Sequence, residues 1–213
     1  MLAGMPLSTT LGVGSAQKDT VTAFSMDLNG NGITVSNALY ERMLAADPES
    51  MKTRPITAVA LKKVIDADKA AGKEPMAFAM VYPVSSHNYE IRYWMASAGI
   101  DPDHDVRLIV IPPSKMVTNL NAKHIDGYCV GEPWNQQAVA LGIGKSIITS
   151  YEIWNNNPEK VFGVTREWAE QNPSTHKAVI KALIEASQWM DNPSNRQEIV
   201  RIIAAQKYIG VPE

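Results

Sequence analysis

Met76-Ala77-Phe78-Ala79-Met80-Val81-Tyr82 is a short apolar run without polar alternation, closed by Pro83. A strand that reads this way is covered on both faces. Asn88–Ala98 then has helical spacing and ends at Gly99, and Val106–Ile111 is a second unalternating run, stopped by Pro112 and Pro113. Lys115–Lys123 is helical again. This β-α-β-α order predicts an α/β fold with a parallel sheet between helices. Asp126–Val130 predicts a third strand running through Gly131-Glu132-Pro133-Trp134 into a helix over Asn135–Leu141, and Ser146–Ser150 predicts a fourth.

Outward from this centre the signals change. Leu7 to Thr34, rich in small and β-favouring residues and punctuated by Gly12, Gly14, Gly30 and Gly32, predicts short strands joined by turns. Asn37–Leu44 and Ile56–Ala71 predict helices, the second amphipathic and stopped by Gly72, with a polar loop over Ala46–Pro55 between them. On the other side an Asn-rich loop leads to the apolar Val161–Val164, and Glu167–Gln206 predicts two helices separated near Asn192-Pro193-Ser194.

A chain of 213 residues suffices for one substantial core or two small lobes. Its formal net charge of −2 argues against nucleic acid or an anionic membrane surface as the main partner. The single cysteine, Cys129, makes neither an internal disulfide nor a cysteine-based metal site. The first residues lack the basic and continuous apolar parts of a secretory leader, and no run approaches the roughly eighteen apolar residues of a membrane span.

Open α/β sheets bind ligands at the carboxyl ends of their strands. There, Ser85, Ser86 and His87 sit where a helix begins, so backbone N–H groups and the positive end of the dipole favour an anion. The plainer alternative is that a serine caps the helix and His87 lies on its surface. Gly131 follows a strand directly, where the absence of a side chain lets ligand approach the backbone; equally, Gly131-Glu132-Pro133 is an ordinary strand-to-helix turn with Glu132 near the helix start. Lys160, in a polar loop before an apolar strand, offers a positive charge to a small anion or is simply solvated.

Catalytic sets are missing: no G-x-S-x-G elbow, Walker loop, H-E-x-x-H pair or dinucleotide fingerprint occurs, and Gly30-Asn31-Gly32 lacks the third glycine of a Rossmann turn. Cys129, with His124 and Asp126 nearby in sequence, reads as a buried structural cysteine. Trp134 is a candidate wall of the cleft.

Leu28-Asn29-Gly30-Asn31-Gly32-Ile33-Thr34-Val35-Ser36, His87 ahead of Arg92-Tyr93-Trp94, Ile125-Asp126-Gly127-Tyr128-Cys129-Val130-Gly131-Glu132-Pro133-Trp134 and Pro158-Glu159-Lys160, in that order, resemble the nitrate- and bicarbonate-binding proteins of bacterial ABC importers, relatives of the nitrate sensors of assimilation operons. The resemblance covers nearly the whole chain and is most specific at Cys129–Trp134. It implies a periplasmic-binding-protein fold of the second type, with two lobes of parallel sheets flanked by helices, and no catalysis. Residues 1–72 would be a remnant of an incomplete first lobe with its crossover, 73–150 the second lobe, and 151–213 the return segment and terminal helices.

By this similarity His87, the Gly131 backbone and Lys160 fall on nitrate contacts, and Asn31 falls where a glutamine is expected, making a shorter contact. Against the family pattern the chain opens after the leader or lipid-attachment segment and the first strands, and sequence is missing beyond Glu213, so it reads as a fragment. The implied partners are a small oxyanion, nitrate favoured over nitrite or bicarbonate, and the membrane subunits of an ABC transporter. The location is periplasmic, or cytoplasmic if the domain is a leaderless sensor.

Nitrate is flat, singly charged and accepts hydrogen bonds only, so its site supplies donors in a plane and one positive charge. Bicarbonate also needs an acceptor for its proton and recruits Ca²⁺ through a carboxylate. Lysine at 160 favours nitrate, while the adjacent Glu159 leaves bicarbonate open; no other cofactor is implied. A third class, the thiamine-pyrimidine synthases of the same superfamily, uses histidine chemistry, for which the isolated His87 gives little support.

Overall fold

The computed structural model describes residues 1–212. The chain runs α1 (Gly4–Leu11), β1 (Thr20–Ser25), β2 (Asn31–Ser36), α2 (Asn37–Ala46), α3 (Val59–Ala70), β3 (Ala77–Met80), α4 (Ser86–Ala96), β4 (Arg107–Val110) and α5 (Pro113–Asn121). It continues through β5 (Gly127–Gly131), α6 (Trp134–Ala140), β6 (Gly144–Thr149), α7 (Ser150–Ile153), β7 (Val161–Thr165), α8 (Arg166–Gln171), α9 (Pro173–Asp191) and α10 (Arg196–Ala204). These elements form two compact units: Leu2–Met5 with Asp27–Glu159, and Met1 with Pro6–Met26 and Lys160–Glu213.

The larger unit holds a sheet in the order β4-β3-β5-β2-β6. β3 pairs in parallel with β4 and β5, as the unalternating runs predict. The sheet is nevertheless mixed, because β2 is antiparallel to both β5 and β6. Alternate residues of a strand face opposite sides. Phe78 and Cys129 therefore enter one core with Ile33, Ile91, Trp94 and Ile148, while Ala77, Ala79, Tyr128 and Val130 enter a second with Met116, Leu120 and Ala138. Two buried faces explain why neither β3 nor β5 alternates.

Helix boundaries follow local chemistry. Ser36 and Ser85 accept from backbone N–H groups at the starts of α2 and α4, and Pro113 stands in the first turn of α5, where its missing N–H costs nothing. Two expectations need correction. Leu7–Leu11 is helical, not extended, since Pro6 suits a first turn and Gly12, at φ +70°, ends α1 in the left-handed region. The tail also carries one helix more than expected among the described residues, because α8 stops at Asn172 and Pro173 starts α9 afresh.

In the smaller unit β1 and β7 pair antiparallel, with an irregularity between Thr22 and Phe24. Pro6 and Ser8 of α1 are buried, whereas α8, α9 and α10 contribute no buried residue among those described.

Candidate functional site

At one end of the larger sheet the start of β2, the end of β5 and the first turn of α4 come together. Register pairs Asn31 with Gly131 across β2 and β5. A Cβ added to Gly131 would lie 3.4 Å from Asn31 Oδ1 and 4.0 Å from His87 Nε2. Three of the four residues singled out from sequence thus share one buried spot. The fourth, Lys160, belongs to the other unit as the first residue of its last segment, and its carbonyl accepts from the Met26 N–H at 2.8 Å.

The turn after β3 explains how polar side chains reach this spot. Ser85 is the cap: its Oγ accepts from the Asn88 N–H at 3.3 Å, and Asn88 Nδ2 donates to the Pro83 carbonyl at 2.7 Å. Ser86 is therefore free of capping, and its hydroxyl donates to Glu159 Oε2. His87 is only 2% exposed, so it does not lie on the helix surface, and its Nε2 stands 3.5 Å from Glu159 Oε1. Glu132 does serve the next helix, accepting from the Gln136 N–H at 3.0 Å.

Glu90 and Glu159, fully buried and 1% exposed, were not singled out by sequence reasoning as site residues. Asn31 Nδ2 donates to both, at 3.1 and 3.2 Å from the Glu90 oxygens and 2.9 Å from Glu159 Oε2. Asn157 Nδ2 donates to Glu90 Oε1 at 3.0 Å, and Cys129 Sγ to Oε2 at 3.5 Å. Asn31 Oδ1 is buried with no hydrogen-bond partner, while its backbone N–H donates to Ser150 Oγ at 3.2 Å. A signal for Glu90 was present: it follows Ser86 by four residues, the spacing that places two side chains on one helix face.

Burial pushes the Glu90 carboxyl above its ordinary range; the bond from Asn31 opposes the rise and the negative charge of Glu159 adds to it. Burial likewise drives the Cys129 thiol well above its ordinary value, reinforced by Glu90, so it is not a ready thiolate nucleophile. Two carboxylates in a dry interior each cost several kcal/mol of lost hydration, which the amide, hydroxyl and imidazole groups around them offset. A carboxylate is a planar oxyanion, and the donors that hold Glu90 and Glu159 are of the kind a free planar oxyanion would use. Among the described residues no group of three or more His, Cys, Asp or Glu side chains is placed to hold a metal ion.

The mixed sheet, with buried cores on both faces, belongs to the α/β class, and its fold is that of the periplasmic substrate-binding proteins among solved structures. The sequence matches the NMT1-like family over residues 1–204, and the chain belongs to that family. It is 43% identical over 211 residues to the nitrate import ATP-binding protein NrtC of Synechocystis sp. PCC 6803, spanning 99% of this chain and 29% of that protein. Over its whole length it is 40% identical to the bicarbonate transport ATP-binding protein CmpC of Synechococcus elongatus, of which it covers 30%.

The crystal structure of the periplasmic nitrate-binding protein NrtA from Synechocystis PCC 6803 superimposes with a TM-score of 0.85 at 33% identity, over 100% of this chain and 52% of that one. The Escherichia coli aliphatic sulphonate binding protein SsuA, at 15% identity and a TM-score of 0.62, over 98% of this chain and 60% of that one, shares the fold. The chain thus spans about a third to a half of the length of these nitrate and bicarbonate relatives.

Proposed function

We propose that this chain is a non-catalytic recognition domain that captures nitrate, or nitrite, for uptake by an ABC importer on the periplasmic side of the membrane. The convergence of Asn31, His87 and Gly131 at one sheet end carries the reading, and similarity over the full chain to a nitrate-binding protein supports it. Among the described residues no helix is long and apolar enough to cross a membrane. His87 would supply a donor to the anion, the bare backbone at Gly131 would let it approach, and the Asn31 amide would donate to it by giving up its bonds to Glu90 and Glu159. Calorimetric titration tests this: saturable heat with nitrate, lost in His87→Ala, is expected. Lys160→Ala in the same assay tests whether the lysine supplies the cation.

A second reading, with bicarbonate as the anion, is favoured by the buried carboxyls of Glu90 and Glu159, which would accept the ligand's proton, and by the 40% identity to a bicarbonate transport component. Heat with bicarbonate and none with nitrate would select it. The still higher identity to an ATP-binding component favours a recognition domain attached to the ATPase rather than a free binding subunit. The sequence of the intact gene decides between these arrangements.

A further inference from the structure

Resting on the oxyanion-binding reading, we infer that Glu90 is a positioning residue for anion choice. By holding the Asn31 amide with its oxygen beside the Gly131 backbone, it weights the site toward an oxyanion that carries its own proton, hydrogen carbonate, and against nitrate. An amide has a donor end and an acceptor end. The donor end of Asn31 is taken: Nδ2 lies 3.2 and 3.1 Å from the two Glu90 oxygens and 2.9 Å from Glu159 Oε2. The acceptor end is open: Oδ1 is buried without a hydrogen-bond partner, on a side chain 3% exposed. A Cβ on Gly131 would stand 3.4 Å from that oxygen, which therefore lies beside the bare backbone that an anion would approach.

The neighbours dictate this orientation. Turned over, the amide would set Oδ1 against three acceptor oxygens, two from Glu90 and one from Glu159, and would withdraw Nδ2 from both acids. In a dry interior that exchange is strongly disfavoured. Glu90 is itself fixed in place, since Asn157 Nδ2 donates to its Oε1 at 3.0 Å and Cys129 Sγ to its Oε2 at 3.5 Å, and it is fully buried.

Two flat monoanions meet this oxygen differently. Every oxygen of nitrate is an acceptor, so nitrate either leaves Oδ1 unpaired or recruits Nδ2 by turning the amide away from the acids. Hydrogen carbonate brings an O–H group, which donates to Oδ1 while the bonds to Glu90 and Glu159 stay in place. The acids then act through Asn31, which takes the ligand's hydrogen bond in their place. A site whose buried polar group is paired by one ligand and left unpaired by another discriminates between the two.

The test is calorimetry with sodium nitrate and sodium hydrogen carbonate at mildly alkaline pH, reading the ratio of the two affinities in wild-type protein and in Glu90→Gln. The amide that this substitution introduces is able to donate to Oδ1 of a turned Asn31, so the ratio should move toward nitrate by about tenfold or more. A general loss of packing would weaken both anions alike and leave the ratio where it was. An unchanged ratio, or one moved toward hydrogen carbonate, would overturn the inference while leaving the anion-binding function intact. Nuclear magnetic resonance of the Asn31 side-chain amide in wild-type protein needs no variant. The downfield shift of N–H protons donated to carboxylates should persist when hydrogen carbonate binds and be lost when nitrate binds. Persistence with both anions, or loss with both, would overturn the inference. No heat from either anion with the wild-type protein would overturn the oxyanion reading, and the inference with it.

Discussion

Asn31 donates from Nδ2 to Glu159 Oε2 at 2.9 Å, and the same nitrogen lies within 3.2 Å of both Glu90 oxygens, so one amide holds together two buried carboxyls. Removing that amide exposes their mutual repulsion with no solvent to screen it. Asn31→Leu should therefore destabilise the domain by about 2–4 kcal/mol, the range for stripping a partner from a buried charged group. Urea unfolding measures this, and a loss below about 1 kcal/mol would mean that the cluster is held from elsewhere.

The Glu90 carboxyl is raised from its ordinary value of 4.5, mainly by burial. Over the window above that value the folded protein keeps a proton that the unfolded chain has released. The slope of stability against pH, proportional to protons bound unfolded minus folded, is then negative, and stability falls as pH rises toward the folded pKa. Below the ordinary value both states are protonated and the contribution is fully present. Glu90→Gln has no proton to lose, so its urea midpoint should vary less with pH than the wild type's. A midpoint that falls equally steeply in the variant would assign the slope to other groups.

Cys129 faces the core beneath Glu90, and burial holds its thiol well above its ordinary pKa. Native protein should leave an aromatic disulfide reagent unreacted over the period in which urea-unfolded protein consumes one equivalent, because a buried neutral thiol is a poor nucleophile. Comparable rates in the two states would show that this part of the larger unit opens readily.

What the sequence disclosed divides along physical lines. Phe78, Tyr128 and their neighbours announced covered strands because a strand packed on both faces needs no polar side. The reversed direction of β2 was not legible, since Gly32, Ile33 and Val35 read alike in either direction and only pairing with β5 and β6 fixes it. Asn31, His87 and Gly131 stood at strand or helix ends, where position alone carries meaning. Glu90 lay inside a helix, where glutamate ordinarily faces water, and its burial depends on Asn157 and Cys129, which are remote in sequence. At Glu159-Lys160 the cation drew attention on chemical grounds, whereas the fold buries the acid.

Gly131 separates a stability effect from a binding effect. Its added Cβ would meet Asn31 Oδ1 at 3.4 Å, an ordinary contact, and no backbone strain arises because its φ lies outside the left-handed region. Gly131→Ala should therefore change stability by less than about 1 kcal/mol. The same methyl would lie within 4.0 Å of both Asn31 Oδ1 and His87 Nε2, on the backbone that an anion would approach. Nitrate affinity should fall by about tenfold or more, equivalent to about 1.4 kcal/mol. Calorimetry and urea unfolding on one preparation read both quantities. Wild-type affinity with unchanged stability would place the ligand away from Gly131 and move the site off this end of the sheet.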